Sequence, residues 1–509
     1  MAVAKFLKRD AGFRGAVFAA GFLLSWLPLI LRSPTLPVID ELFQYLEAGH
    51  RLVFGYGMVA WEFDYGARSW ALGYAAALPM AVAKLFGAGP GLYLPLTWAL
   101  FSLPAAGAAL CAGLWGARSF GRAGGWIAAL VAASWIDNLY FGGRVLSEVV
   151  GAHLLIIATY LAEPGTQVES RNRLLLAGFV AALAVLLRLQ LAPAAALLWL
   201  WRWQQPRRLG VMAAGALAAL LLDGAFDAAT TGYPFRPLWE NVRFNLLLDG
   251  ANAFSVSPWW YYFDEFWNRW GMSLLPFTAL ALLGGRRQPL LLAMTLIILA
   301  VHLVIPHKEY RFLLPGVMLM AILCGLGLAD AIQLLAKALR RHLGPKAAMA
   351  AVALAALGWT GLAAANAVAM TTDDAWVVSG NMLEMVSSIG NRPDICGVGF
   401  GNLIPYGTGG YTFLHRPIPV YHSMGLDQAA FIRRRPAYNA LVIRQGDREF
   451  FESFGAFGDY ALDHCNEEDC LFIRPGGCAV TPVPRPPIGP LSPERALDKR
   501  YPYVAGIWR

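Results

Sequence analysis

Two clusters of chemically able residues stand far apart in this sequence. Asp40 and Glu41 open a polar stretch that continues through Gln44, Glu47, His50 and Arg51, while His307-Lys308-Glu309-Tyr310-Arg311 sets three potential cations within five residues. The second cluster is wedged between apolar runs, where it makes a poor structural loop and a good clamp for an anion such as a phosphate. Further polar residues recur in similar settings: Arg68, Arg144 with Ser147 and Glu148, Arg188 with Gln190, Asp223 with Asp227, and Trp259-Trp260-Tyr261-Tyr262. Plainer readings stand beside some of these. Trp259 to Tyr262 can be an interfacial aromatic belt, and Arg144 with Glu148 a helix-end ion pair with no further role.

The elements that position these residues are membrane helices. Of the 509 residues 57% are hydrophobic and 15% charged, where a soluble domain keeps roughly a quarter charged. Apolar runs predict about eleven spanning helices, over residues 13–31, 95–116, 124–141, 146–163, 174–189, 190–202, 209–229, 272–285, 289–306, 312–336 and 346–370. The stretch 70–88 is apolar enough to span but is read as interfacial or re-entrant. Six basic clusters, from Lys5–Arg9 to Lys337–Lys346, then fall on one side, as the cytoplasmic bias of Lys and Arg requires. That bias also accounts for the net charge of +8 without nucleic acid as a partner. With this topology every polar residue named above falls on the outer side. The first external loop, residues 32–94, carries Asp40 to Arg51 interleaved with Leu42, Phe43, Leu46 and Val53, a spacing that predicts an amphipathic interfacial helix.

From Thr371 the composition shifts to Pro, Gly, Asp and Asn, with β-like runs at Ile395–Phe400, Ala440–Ile443 and Leu471–Ile473. The chain thus divides into a transmembrane module, 1–370, and a small C-terminal α/β extracytoplasmic domain, 371–509, ending in a Pro-rich extended tail. Four cysteines lie in the latter (Cys396, Cys465, Cys470, Cys478). One or two disulfides suit an oxidising compartment, Cys465–Cys470 being the nearest pair in sequence.

At these residues the sequence resembles glycosyltransferase family 22, a group of polyprenyl-phosphate-sugar-dependent mannosyltransferases with the GT-C membrane fold. His307-Lys308-Glu309-Tyr310-Arg311-Phe312 is similar to that family's HKE-x-RF signature, and Asp40-Glu41-Leu42-Phe43-Gln44 to its DE-x-FQ element, followed by Trp61-Glu62 and Arg68-Ser69. Ser257-Pro258-Trp259-Trp260-Tyr261-Tyr262 looks like its HPW-x-WY segment, with Ser257 in place of the usual His. The region around Asp223 and Phe226, and on to Phe244-Asn245, follows in the family's order.

The resemblance implies inverting transfer of mannose from a polyprenyl phosphate to a glycan or glycolipid hydroxyl. The leaving phosphate needs cationic stabilisation rather than a proton, a job for Lys308 and Arg311 with His307 helping. The acceptor hydroxyl needs one carboxylate to take its proton. Asp40 or Glu41 supplies it, Asp40 being favoured because helical neighbours point about 100° apart. Arg68, Arg144, Glu148, Arg188, Gln190, Asp223, Trp259, Trp260, Tyr261 and Glu309 are the candidate sugar, acceptor or lipid contacts. No cofactor is required, although Asp40 with Glu41 could bind a divalent ion. The expected setting is a bacterial inner membrane with the site facing the periplasm, the endoplasmic reticulum being the alternative. Rival readings are a GT-C enzyme moving another sugar, such as an aminopentose or glucose, and a lipid-linked-sugar transporter. The charges sit at one rim rather than on broken mid-bilayer repeats, which argues against the transporter.

Overall fold

The computed structural model describes residues 2–32, 34–163, 170–253, 255–342, 344–372, 376, 379–403, 407–423 and 428–479. The Pro-rich tail expected beyond residue 479 lies outside them. In chain order, α1 (Ala2–Ile30) leads to α2 (Glu47–Phe54), α3 (Trp61–Tyr65) and α4 (Ala71–Leu85). Then come α5 (Pro90–Ser134), α6 (Ile136–Phe141), α7 (Ser147–Ala162), α8 (Arg171–Leu187), α9 (Ala192–Trp201) and α10 (Pro206–Thr231). After α11 (Arg236–Val242) and α12 (Tyr261–Trp270), α13 (Leu274–Gly285), α14 (Pro289–Val304), α15 (Leu314–His342) and α16 (Pro345–Thr372) complete the apolar series. Each expected span falls on one of these helices except 124–141, which the extended Trp135 divides between the end of α5 and α6. Among the described residues, five helical stretches are long and apolar enough to cross a membrane (Ala11–Ile30, Pro90–Ser134, Pro206–Thr231, Tyr310–His342 and Pro345–Ala369), and four others are apolar but shorter.

The chain forms two compact units. The first comprises Met1–Leu31, Trp98–Ala228 and Tyr233–Ala375. Small residues set its helix crossings, as expected where lipid supplies no hydrophobic drive between helices. A Cβ at Gly284 would lie 1.9 Å from the Leu323 carbonyl oxygen, and one at Gly327 would lie 1.9 Å from that of Leu280, so α13 and α15 touch backbone to backbone. Gly178 and Gly215 do the same for α8 and α10. Within α5, Gly121 takes φ 71° and ψ −177°, which divides the run into the two separate helices the sequence predicts there. Trp135 is extended (φ −62°, ψ 141°) and starts α6 as a fresh helix with Asp137 in its first turn.

The second unit comprises Arg32–Thr97, Ala229–Gly232 and Trp376–Arg509. The first external loop, expected to belong with the transmembrane module, therefore packs with the C-terminal region. That region holds a five-stranded sheet in the order β2-β1-β3-β5-β4, with β1 (Val398–Gly401), β2 (Val420–His422), β3 (Ala440–Arg444), β4 (Ala461–Cys465) and β5 (Asp469–Ile473). The first three strands run parallel, and β5 of the β4–β5 hairpin pairs antiparallel with both β3 and β4. The three predicted β-runs are β1, β3 and β5, whose buried faces explain their unbroken apolar character. Strands β2 and β4 are half-buried or exposed and carry no such signal. Cys465 faces Cys470 across the hairpin and is bonded to it, and a second disulfide joins Cys396 to Cys478.

One expectation is corrected. Residues Glu41 to Arg51 do not make a one-sided interfacial helix, because every residue from 41 to 51 is buried. Their polar face is covered within the same unit by α4 and by residues 410–415, and the charges are matched there rather than solvated.

Candidate active site

In the second unit, the acidic pair sits at the start of a π-helical turn, Glu41–Leu46, for which Asp40 is the N-cap. The wide turn rotates successive side chains differently from an α-helix and recurs at functional sites. Its consequence is a division of labour: Glu41 is 1% exposed, whereas Asp40 is half-buried and open. Gln44, also buried, donates from Nε2 to Glu62 Oε1 at 2.7 Å. Burial, and then the charge of Asp40, raise the Glu62 carboxyl above its ordinary range, with Arg68 pulling the other way. Arg68 in turn donates to the Tyr45 hydroxyl at 3.3 Å. Asp40, Gln44, Glu62 and Arg68, scattered over 29 positions of sequence, thus form one acid corner. Glu62 was visible as an outer polar residue and in the family pattern, but it carried no assigned role.

Behind this corner Glu47 is fully buried. It accepts the Met58 amide at 2.8 Å and both the amide and the hydroxyl of Thr412, at 2.5 and 2.6 Å. Burial outweighs these donors and Arg51, pushing its pKa up to about 7. His50 contacts His415 ring to ring at 3.2 Å, and burial, then the neighbouring His415, lower its pKa to about 3.

In the first unit, the signature His307–Arg311 gathers its own partners. Glu309 grips Arg311 in a two-point contact of 2.8 and 3.0 Å and reaches His307 Nε2 at 3.2 Å. Burial alone would raise the Glu309 carboxyl, yet Arg311 and His307 outweigh it and bring the pKa down to about 2. Glu148, 1% exposed, faces Arg188 at 3.3 Å and Arg311 at 3.7 Å. Arg144 is itself buried and donates to the Tyr140 carbonyl at 3.0 Å. Lys308 is 4% exposed and its ammonium donates to the Ile305 carbonyl; among the described residues no carboxylate pairs with it. Arg188 and Arg311 stand against Glu148 and Glu309, with Lys308 adjoining Glu309 in sequence.

The Ser257–Tyr262 segment joins this cluster by its backbone. Ser257 donates its amide to the Pro306 carbonyl at 3.0 Å, and His307 Nδ1 lies 3.1 Å from Ser255. The side chains of Trp259 and Trp260 turn outward instead, 62% and 49% exposed, which favours the belt reading for both. Tyr261 and Gln190 are half-buried, and Asp223 sits half-buried along α10 without joining the cation cluster in any described contact. Sequence reasoning passed over Asp137, whose signal was a lone acid inside an apolar span.

Comparison with known proteins places these residues in context. Residues 21–374 match the model of the Alg9-like mannosyltransferase family. The chain is 28% identical over 407 residues to GPI mannosyltransferase 3 of Yarrowia lipolytica, covering 75% of this chain and 72% of that one. It is 27% identical over 308 residues to GPI alpha-1,2-mannosyltransferase 3 of Homo sapiens and 26% over 318 residues to mannosyltransferase APTG1 of Arabidopsis thaliana. In these two cases it spans 53% and 55% of the relative's length. Among solved structures, ArnT from Cupriavidus metallidurans bound to undecaprenyl phosphate aligns with a TM-score of 0.59. The alignment covers 91% of this chain and 98% of that one at 12% identity, a likeness of fold.

Proposed function

This chain belongs to the Alg9-like mannosyltransferase family, and from that membership we propose that it transfers mannose from a polyprenyl phosphate to a glycan or glycolipid hydroxyl, with inversion. The observation that carries the reading is the cation cluster, in which a buried Lys308, paired with no carboxylate among the described residues, adjoins the carboxylate-braced guanidiniums of Arg188 and Arg311. A phosphate monoester leaving group supplies an anion for Lys308 to pair with. Asp40 takes the proton of the acceptor hydroxyl as its oxygen attacks the anomeric carbon from the face opposite the phosphate. The anomeric C–O bond breaks, and the electron pair leaves on the polyprenyl phosphate, where Lys308 and Arg311 stabilise it. His307 and Glu309 hold Arg311 in place for that role, and Arg188 adds a third cation.

Asp40 is the better base because it is open where Glu41 is buried. The same divergence speaks against a divalent ion shared by the two. The reaction as written uses no cofactor beyond the lipid donor. Two disulfides in the second unit and the one-sided distribution of Lys and Arg support a non-cytoplasmic catalytic face. We read that face as the periplasmic side of a bacterial inner membrane, with the lumen of the endoplasmic reticulum as the alternative. The test is to incubate the purified chain with polyprenyl-phosphate-mannose and, separately, with other lipid-linked sugars, and to identify the product. Transfer of mannose with inverted anomeric configuration is the expected result. Retention, or transfer only from another donor, overturns it.

A further inference from the structure

A buried carboxylate with three side-chain donors lies in the first unit outside both signature clusters. Asp137, 0% exposed, accepts the indole N–H groups of Trp135 and Trp270 on Oδ2, at 3.0 and 2.9 Å. On Oδ1 it accepts the hydroxyl of Tyr310 at 2.5 Å. Three donors from three stretches of chain therefore converge on one acid: the break before α6, the end of α12, and the middle of the His307–Arg311 signature. A buried carboxylate is costly unless its oxygens are matched by donors, and here both are matched, so the geometry of all three stretches is fixed by one group.

Tyr310 is held on other sides too. The Arg269 guanidinium stacks over its ring at 4.1 Å, and Phe266 meets it edge-on at 6.2 Å. Trp135 and Trp270 pack edge to face at 5.1 Å, with Trp135 stacked on Phe277 at 3.8 Å. Tyr310 sits between Glu309 and Arg311 and two residues beyond Lys308. On the other flank of the same motif Arg311 faces Glu148, which begins the helix after α6. One short region, residues 137–148, thereby supplies a carboxylate to each of two adjacent residues of the signature.

We propose that Asp137 is a positioning residue, which through the Tyr310 hydroxyl sets where Lys308 and Arg311 meet the donor phosphate. The proposal rests on the phosphate-clamp reading given above. It ascribes no contact with substrate to Asp137 itself. Lys308 and Arg311 are the groups that touch the phosphate. Asp137 and Tyr310 fix the backbone between them, and small displacements of a charge aimed at a reacting group lose rate and affinity steeply.

The experiment measures affinity of the purified full-length chain for polyprenyl-phosphate-mannose, together with its unfolding midpoint, so that no acceptor is needed. Tyr310→Phe removes a single oxygen. Asp137→Asn can keep an oxygen toward both indoles while turning its amide to Tyr310. Both are expected to weaken donor binding on the order of tenfold or more. The double variant should be no weaker than the worse single, because the two residues act along one route. If Asp137→Asn lowers the unfolding midpoint, Tyr310→Phe at an unchanged midpoint carries the test. Lys308→Ala is the control. If it weakens donor binding while Tyr310→Phe and Asp137→Asn bind as wild type, the positioning role is overturned and the clamp stands. Additive losses in the double variant overturn it as well. If Lys308→Ala binds the donor as wild type, the clamp reading falls and this inference with it.

Discussion

Replacing Glu47 with Gln should remove a pH dependence from the second unit that the structure makes large. The Glu47 carboxyl is fully buried and its pKa stands at about 7 against an ordinary 4.5. Burial raises it, and the donors on Thr412 and Met58 with nearby Arg51 only partly offset that. Because the folded value lies above the unfolded one, the native state holds the proton more tightly. Its stabilising effect is full below pH 4.5 and is lost as the pH rises through about 7. At 1.36 kcal/mol per pH unit the gap corresponds to about 3 kcal/mol, or a few-hundred-fold in the local opening equilibrium. His50 acts in the opposite sense. Its pKa is lowered to about 3, so its contribution is present above pH 6.5 and lost on acidification. The two slopes partly cancel in the wild type, and the difference between wild type and Glu47→Gln isolates the carboxyl. The assay is amide hydrogen exchange at residues 410–414, with Thr412 donating directly to Glu47, followed from pH 4 to 8 and corrected for intrinsic rates. Protection of the wild type relative to the variant should fall as the pH rises and level off above neutrality. A ratio that stays constant across the range would refute the reasoning.

Other outcomes follow from the same contacts. Glu62→Gln should change the pH profile of transfer near neutrality, since burial and the charge of Asp40 raise that carboxyl; superimposable profiles count against its link to the base. Glu148→Ala leaves Arg188 and Arg311 without their buried acid, and loss of one partner from such a network costs about 3–5 kcal/mol. A lowered unfolding midpoint with weakened donor binding is expected, and a variant as stable as wild type contradicts it. Arg311→Lys should not restore function, because the two-point contact with Glu309 needs a guanidinium; donor binding equal to wild type in that variant would show that charge alone suffices.

The helices were legible because a span of about 20 apolar residues has no other use. Gly121, inside the basic cluster 118–122, divides the long α5 run where two spans were expected. What the sequence hid is what depends on long-range contact. The polar face of residues 41–51 has helical periodicity and suggested a surface helix, yet it is buried against residues some 365 positions away, as Glu47 with Thr412 and His50 with His415 show. No local pattern carries such a pairing. For the same reason the first loop was assigned to the transmembrane module although it packs with the C-terminal region. The signature His307–Arg311 was legible as charge out of place, but its partners were not. Glu148, expected beside Arg144 four residues away, faces Arg188 and Arg311 from distant stretches of chain. Asp137 was a single acid within an apolar run, and only the converging indoles and Tyr310 show what it does.

Asp40 is the proposed base that takes the acceptor proton, a role separate from that of the cations proposed to hold the donor. The direct measurement pairs donor binding with turnover in Asp40→Asn, a change of charge without a change of shape. Donor affinity equal to wild type with mannosyl transfer reduced by 10² or more is expected for loss of a general base. Transfer at the wild-type rate in that variant would contradict the assignment.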